Sequence, residues 1–117
     1  MKKIIFIFAS LLLFTLSSSE AALYKGQRAY SKVCIKCHTD REAFISTFNK
    51  RTWKKYMKKK GKKLAAVHLR SSKFKKEKKY AKYKKYFKSR KYTRTAKHLK
   101  QFLIEYAKDS GNVPACN

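Results

Sequence analysis

Cys34-Ile35-Lys36-Cys37-His38 is the stretch on which the reading of this chain turns. Two thiols stand three residues apart, close to one turn of helix, and an imidazole follows directly. Thiols at this spacing can add across the two vinyl groups of a porphyrin as thioethers. The adjacent imidazole then supplies an axial nitrogen to the iron, and C-x-x-C-H is the attachment signature of a c-type haem. Cys34 and Cys37 are therefore the candidate residues for covalent attachment of one haem c, and His38 is the candidate proximal iron ligand.

Three other chemistries use paired cysteines. A thioredoxin-like redox pair sits in a βαβ context, and no such pattern is present. A zinc site needs a second pair of ligands at metal-binding spacing; Cys116, His68 and His98 are scattered. A plain disulfide suits an oxidising compartment but leaves the adjoining His38 without a role. Cys116 is left over as an odd thiol, free or available for pairing between molecules.

The N-terminus points to export. Lys2 and Lys3 precede an apolar run from Ile4 to Leu16, and Ser17 to Ala22 supply small residues at a cleavage site. Residues 1–21 read as a signal peptide cleaved after Ala21, or one residue later after Ala22. The run is short for a membrane span. Residues 22–117 then form a single domain. With the haem motif, this signal suits a periplasmic location. Cleavage removes Lys2, Lys3 and Glu20, so the formal charge of +26 becomes +25. So large a charge opposes compaction and favours anionic partners.

Outward from the motif, the chain reads as helices. Leu23 to Cys37 carries Gly26, Tyr30 and Val33 at i, i+4 and i+7. Gly26 makes sense if another helix crosses closely there. Thr39 with Glu42 reads as a capping box opening a short helix through Phe44 and Phe48. Thr52 is expected to cap a helix from Trp53 to Lys60, which Gly61 ends. A second short helix, Lys62 to Leu69, presents Leu64, Val67 and His68. Lys73 to Ser89 reads as one basic helix with Phe74, Tyr80, Tyr83 and Phe87 as its stripe. Thr93 is expected to cap the last helix. There Leu99, Phe102, Leu103 and Tyr106 form an amphipathic face, and Gly111 is the expected end, with Pro114 in the tail beyond it. No strand pattern is present, so the fold class is all-α.

Gly26-x-x-x-Tyr30-x-x-x-Cys34-x-x-Cys37-His38 resembles the N-terminal helix of small monohaem class I cytochromes c. The stretch Leu99 to Tyr106 is similar to the aromatic-rich C-terminal helix that crosses it in that family. The resemblance covers the two ends, about 30 residues, and implies a cytochrome c-like helical fold around one haem. It implies electron transfer as the activity, not enzymatic catalysis. The middle departs from the family. Class I members usually take the distal ligand from a Met in a loop before the last helix, and this chain has no Met between Lys58 and that helix.

The distal position is therefore open to His68, Met57 and His98. His68 is the first choice, because Leu64, Ala65, Ala66 and Val67 give it an apolar setting. Met57 beside Trp53 and Tyr56 also reads as core filler, and His98 sits at the edge of the last stripe. A vacant or displaceable sixth position would instead suit a haem-based sensor or small-ligand-binding module. The Lys runs at 54–60 and 73–91 suit an acidic redox partner or an anionic membrane surface. Export argues against nucleic acid.

Overall fold

The computed structural model describes residues 20–113, apart from the side chains of Arg41 and Glu42. The expected signal peptide and its apolar run lie outside the described residues, as do Pro114 and Cys116. The expected pairing of Thr39 with the Glu42 side chain lies outside them too. Among the described residues every regular element is helical. None of these helices is long and apolar enough to cross a membrane.

The first helix, α1, spans residues 20–33, and a 3-10 turn at Cys34–Lys36 follows it. Then come α2 at Arg41–Ile45, α3 at Lys50–Tyr56, α4 at Lys58–Arg70, α5 at Ser72–Lys75, α6 at Tyr80–Phe87 and α7 at Arg90–Glu105. The core lies where α7 meets α1, α3 and α4. Tyr30, Ile45, Trp53, Leu99, Phe102 and Leu103 are buried there. Burying each such side chain contributes about 1.5–3 kcal/mol relative to leaving it in water.

Gly26 is where α1 and α7 cross. A Cβ built on Gly26 would meet the backbone carbonyl of His98 and would lie 2.6 Å from the Cβ of Phe102. Only glycine permits that approach. One turn later Tyr30 packs on Phe102 with ring centroids 5.7 Å apart. The close crossing expected from Gly26 is thus present, and the expected face of α7 is buried at Leu99, Phe102 and Leu103.

Helix ends follow polar side chains, not always those expected. The Asn49 side-chain Oδ1 accepts from the Thr52 N–H at 2.9 Å, so α3 is capped by Asn49 and Thr52 lies inside it. Ser89 does the same for the Tyr92 N–H at 3.2 Å, so α7 starts before Thr93. Tyr92-Thr93 is no break, because Tyr92 and Ala96 extend the buried stripe N-terminally from Leu99. At the other end α7 stops at Glu105, well before Gly111. The chain peels away there to bond α3: Lys108 N–H donates to the Phe48 carbonyl at 2.9 Å, and the Asp109 carboxylate accepts from Lys50 N–H at 2.8 Å.

The break expected at Gly61 is present, in a sharper form. Lys59, Lys60 and Gly61 have φ of 51°, 57° and 75° inside α4. Left-handed backbone costs a non-glycine residue roughly 1–2 kcal/mol. Tyr92 holds this turn, its hydroxyl donating to the Gly61 carbonyl at 2.6 Å. After the turn α4 buries Ala65 and leaves Val67 exposed, contrary to the expected inward placement of Val67.

Lys73 to Ser89 is not one helix. Ser71 caps the short α5, and residues 76–79 turn before α6 begins. The reason is geometric. At about 100° per residue, a continuous helix would put Phe74 on the side opposite Tyr83 and Phe87. The turn brings the Phe74 ring to 5.8 Å from Tyr83 and 6.1 Å from Phe87. All three rings are half-buried.

Candidate functional site

The turn after α1 shapes the C-x-x-C-H stretch. The Cys34 carbonyl accepts from Cys37 N–H at 3.2 Å and from His38 N–H at 2.8 Å. Cys34 is half-buried against the core and Cys37 is exposed; neither is in a disulfide. Burial pushes the Cys34 thiol up to about 12, against a lowering by its own backbone hydrogen bond. At neutral pH it is a neutral thiol and a weak nucleophile.

After the turn the His38 ring stacks on Phe44, 3.7 Å between centroids at 15°. Burial lowers its pKa, and the nearby His68 and Lys73 add to the lowering. The imidazole is therefore neutral at pH 7, the form that binds a metal.

His68 comes to the same place from α4. Its Nδ1 lies 2.8 Å from the Leu64 carbonyl. A carbonyl can only accept, so Nδ1 donates to it, and in the neutral ring Nε2 is then the nitrogen with the free lone pair. Such a backbone hydrogen bond is the usual way a ligating imidazole is oriented. Phe87 stacks on the His68 ring at 4.9 Å and Phe74 meets it edge-on at 5.4 Å. The His38 and His68 rings stand 6.1 Å apart, with their planes 87° to each other.

Around these groups the lining is apolar or aromatic. Tyr30, Trp53, Leu64, Tyr86, Phe87, Tyr92, Leu99 and Leu103 enclose Cys34, His38, Phe44 and His68 about a cavity of about 30 Å³. The space is dry and small, enough for about one water. The outer side is different. Exposed Cys37 lies among Lys36, Lys73, Lys76, Lys78 and Lys79, with Glu77 the one acidic residue of that patch.

The structure separates the three distal candidates. The His68 ring lies close to that of His38. Met57 is buried in the core, its methyl group against Gly61, and does not line the cavity. His98 lines a groove elsewhere, with its backbone carbonyl against Gly26. Its buried Nδ1 has no hydrogen-bond partner among the described residues.

The aromatic enclosure of His68 is not apparent from the sequence. Tyr86 and Tyr92 do not stand out there as site residues, although Tyr92 falls on the α7 stripe through Ala96 and Leu99. Reading Phe74 and Phe87 as one helix face hides their convergence on an imidazole from another element.

Cys34, Cys37, His38 and His68 are the side chains here that could hold a haem, two through thiols and two through imidazole nitrogen. An imidazole nitrogen lies about 2.0–2.1 Å from a bound metal ion, so two imidazoles sharing one ion stand with ring centroids ~6 Å apart. The His38 and His68 rings are 6.1 Å apart, within that range of separation. Among the described residues no group of three or more His, Cys, Asp or Glu side chains could hold a metal ion. A haem would bring its own ring nitrogens, and His38 and His68 would be the residues to supply imidazole nitrogen to it. Compared with known protein families, curated proteins and solved structures, the chain has no significant match.

Proposed function

We propose that this chain is an exported c-type cytochrome that carries electrons on one covalently attached haem. The observation that carries the reading is the approach of the His38 and His68 rings, 6.1 Å between centroids, inside an aromatic enclosure that also holds Cys34. Cys34 and Cys37 would form the thioethers. His38 would be the proximal ligand and His68 the distal one. When bound, the group supplies a one-electron Fe(III)/Fe(II) couple, and two imidazoles favour a lower potential than a Met/His pair.

The chain's own residues do the rest. The Leu64 carbonyl fixes the His68 tautomer, and burial keeps His38 neutral. Phe44 and Phe87 stack on the two imidazoles, so a macrocycle between His38 and His68 would require both rings to move aside. The apolar lining excludes water. Two imidazoles brought close together favour a carrier over a sensor with an open sixth position. The lysines around exposed Cys37 form a docking face for an acidic redox partner, with encounter that weakens as salt rises. The short Lys-led signal supports a periplasmic setting.

The test is the pigment on the purified mature protein. Expressed with export and haem-attachment machinery, the chain should carry a haem that acid–acetone does not extract, with a sharp reduced α-band in alkaline pyridine. A colourless protein, or a haem that extracts completely, contradicts the reading.

A further inference from the structure

A second concave surface lies apart from the imidazole pair. It is a groove of about 660 Å³ between α1, α6 and α7. Its size falls within the range of small-molecule sites. Eight Lys and Arg side chains line it and no acidic one does. The cations come from different elements of the lining, Arg28 and Lys32 from α1, Lys82 from α6 and Arg94 from α7. These four are exposed, whereas Ala29, Val33, Tyr83 and Tyr86 between them are half-buried. The groove thus has a cationic rim and an apolar, partly aromatic floor.

This arrangement is more than a solvated lysine face. Like charges gathered on one groove repel each other across low-dielectric side chains, and a concave surface concentrates their field. An anion between them relieves that repulsion. A purely inorganic anion would leave the tyrosine floor unused, and a flat bilayer would reach the rim without filling the groove. The occupant that matches both parts has an apolar body and a negative group for each wall.

We infer that this groove binds a soluble amphipathic dianion, an aromatic or aliphatic body carrying two carboxylate, sulfonate or phosphate groups. Tyr86 also lines the enclosure of His38 and His68. A ligand on the floor therefore rests on a wall the two sites share. The inference stands on the groove alone and does not depend on the haem reading.

Calorimetric titration of the mature protein with bis-anilinonaphthalene disulfonate tests it. Three variants are compared with the parent. Arg28→Glu with Arg94→Glu reverses charge on both walls. Lys55→Glu with Lys62→Glu makes the same change in net charge at exposed residues outside the groove. Tyr83→Ser alters the floor at constant charge. The groove supports one strong site in the parent, lost by about tenfold or more in the wall pair and weakened in Tyr83→Ser, while the control pair stays within about twofold. Equal losses in the two charge pairs would mean non-specific attraction and overturn the inference. So would no effect of Tyr83→Ser with inorganic phosphate competing fully at matched ionic strength. Binding to phosphatidylglycerol vesicles without saturable binding of the soluble probe would overturn it too, and would assign the surface to membranes.

Discussion

The Tyr92 hydroxyl donates to the Gly61 carbonyl at 2.6 Å and so ties α7 to the left-handed turn in α4. Gly61 is buried, with φ of 75°, and a Cβ there would lie 2.9 Å from the Tyr92 ring. The two residues depend on each other. Tyr92 gives the turn's carbonyl its partner, and the turn leaves room for the tyrosine.

Tyr92→Phe should destabilise the protein by about 0.5–1.5 kcal/mol, because it removes a buried hydrogen bond to the Gly61 carbonyl. Gly61→Ala should cost at least as much, from positive φ and contact with the ring together. The double variant should cost less than the sum, since either change alone already breaks the link. Guanidinium unfolding followed by far-UV circular dichroism measures all three. Full additivity would show that the residues act independently.

Gly26→Ala should cost about 1–3 kcal/mol through overpacking at the α1–α7 crossing. The added methyl would meet backbone of α7 as well as Phe102, and backbone yields little. Ala29→Gly on the same helix serves as the propensity control, with an expected loss of about 1 kcal/mol. A neutral Gly26→Ala would mean that the crossing of α1 and α7 does not require a glycine.

The crossing is legible in the sequence because it depends on local pattern: a small residue and an aromatic one turn apart, then a long stripe on the last helix. The break at Gly61 is legible for the same reason. The caps are not. Asn49 and Ser89 compete with Thr52 and Thr93 only a few positions away, and the winner is set by where Trp53 and Tyr92 must point. The enclosure of His68 is hidden more deeply. His68 stands out from its apolar neighbours, but Phe74 reaches it only because the chain turns at residues 76–79. That turn is a tertiary effect in a stretch whose composition reads as uniform helix.

Burial of Cys34 predicts a pH dependence in the haem-free chain. The thiol titrates near 9.0 when unfolded and at about 12 when folded. Between those values the unfolded chain has lost the proton and the folded chain keeps it, so stability falls as pH rises. The slope is at most ~1.4 kcal/mol per pH unit. Cys34→Ala should remove this part of the slope, with the difference from the parent growing from pH 9 upward. Parallel curves would show that the thiol is not buried. Iodoacetamide at pH 8 should modify exposed Cys37 before Cys34.

The central claim is that His38 and His68 share one iron. Visible and electron paramagnetic resonance spectra of the ferric mature protein and its His68→Ala variant test it most directly. The parent should be low spin and lack the charge-transfer band of Met ligation, and His68→Ala should become high spin and bind carbon monoxide when reduced. Met57→Leu and His98→Leu should leave the parent spectrum unchanged. A low-spin spectrum that survives His68→Ala and disappears in Met57→Leu or His98→Leu would contradict the account.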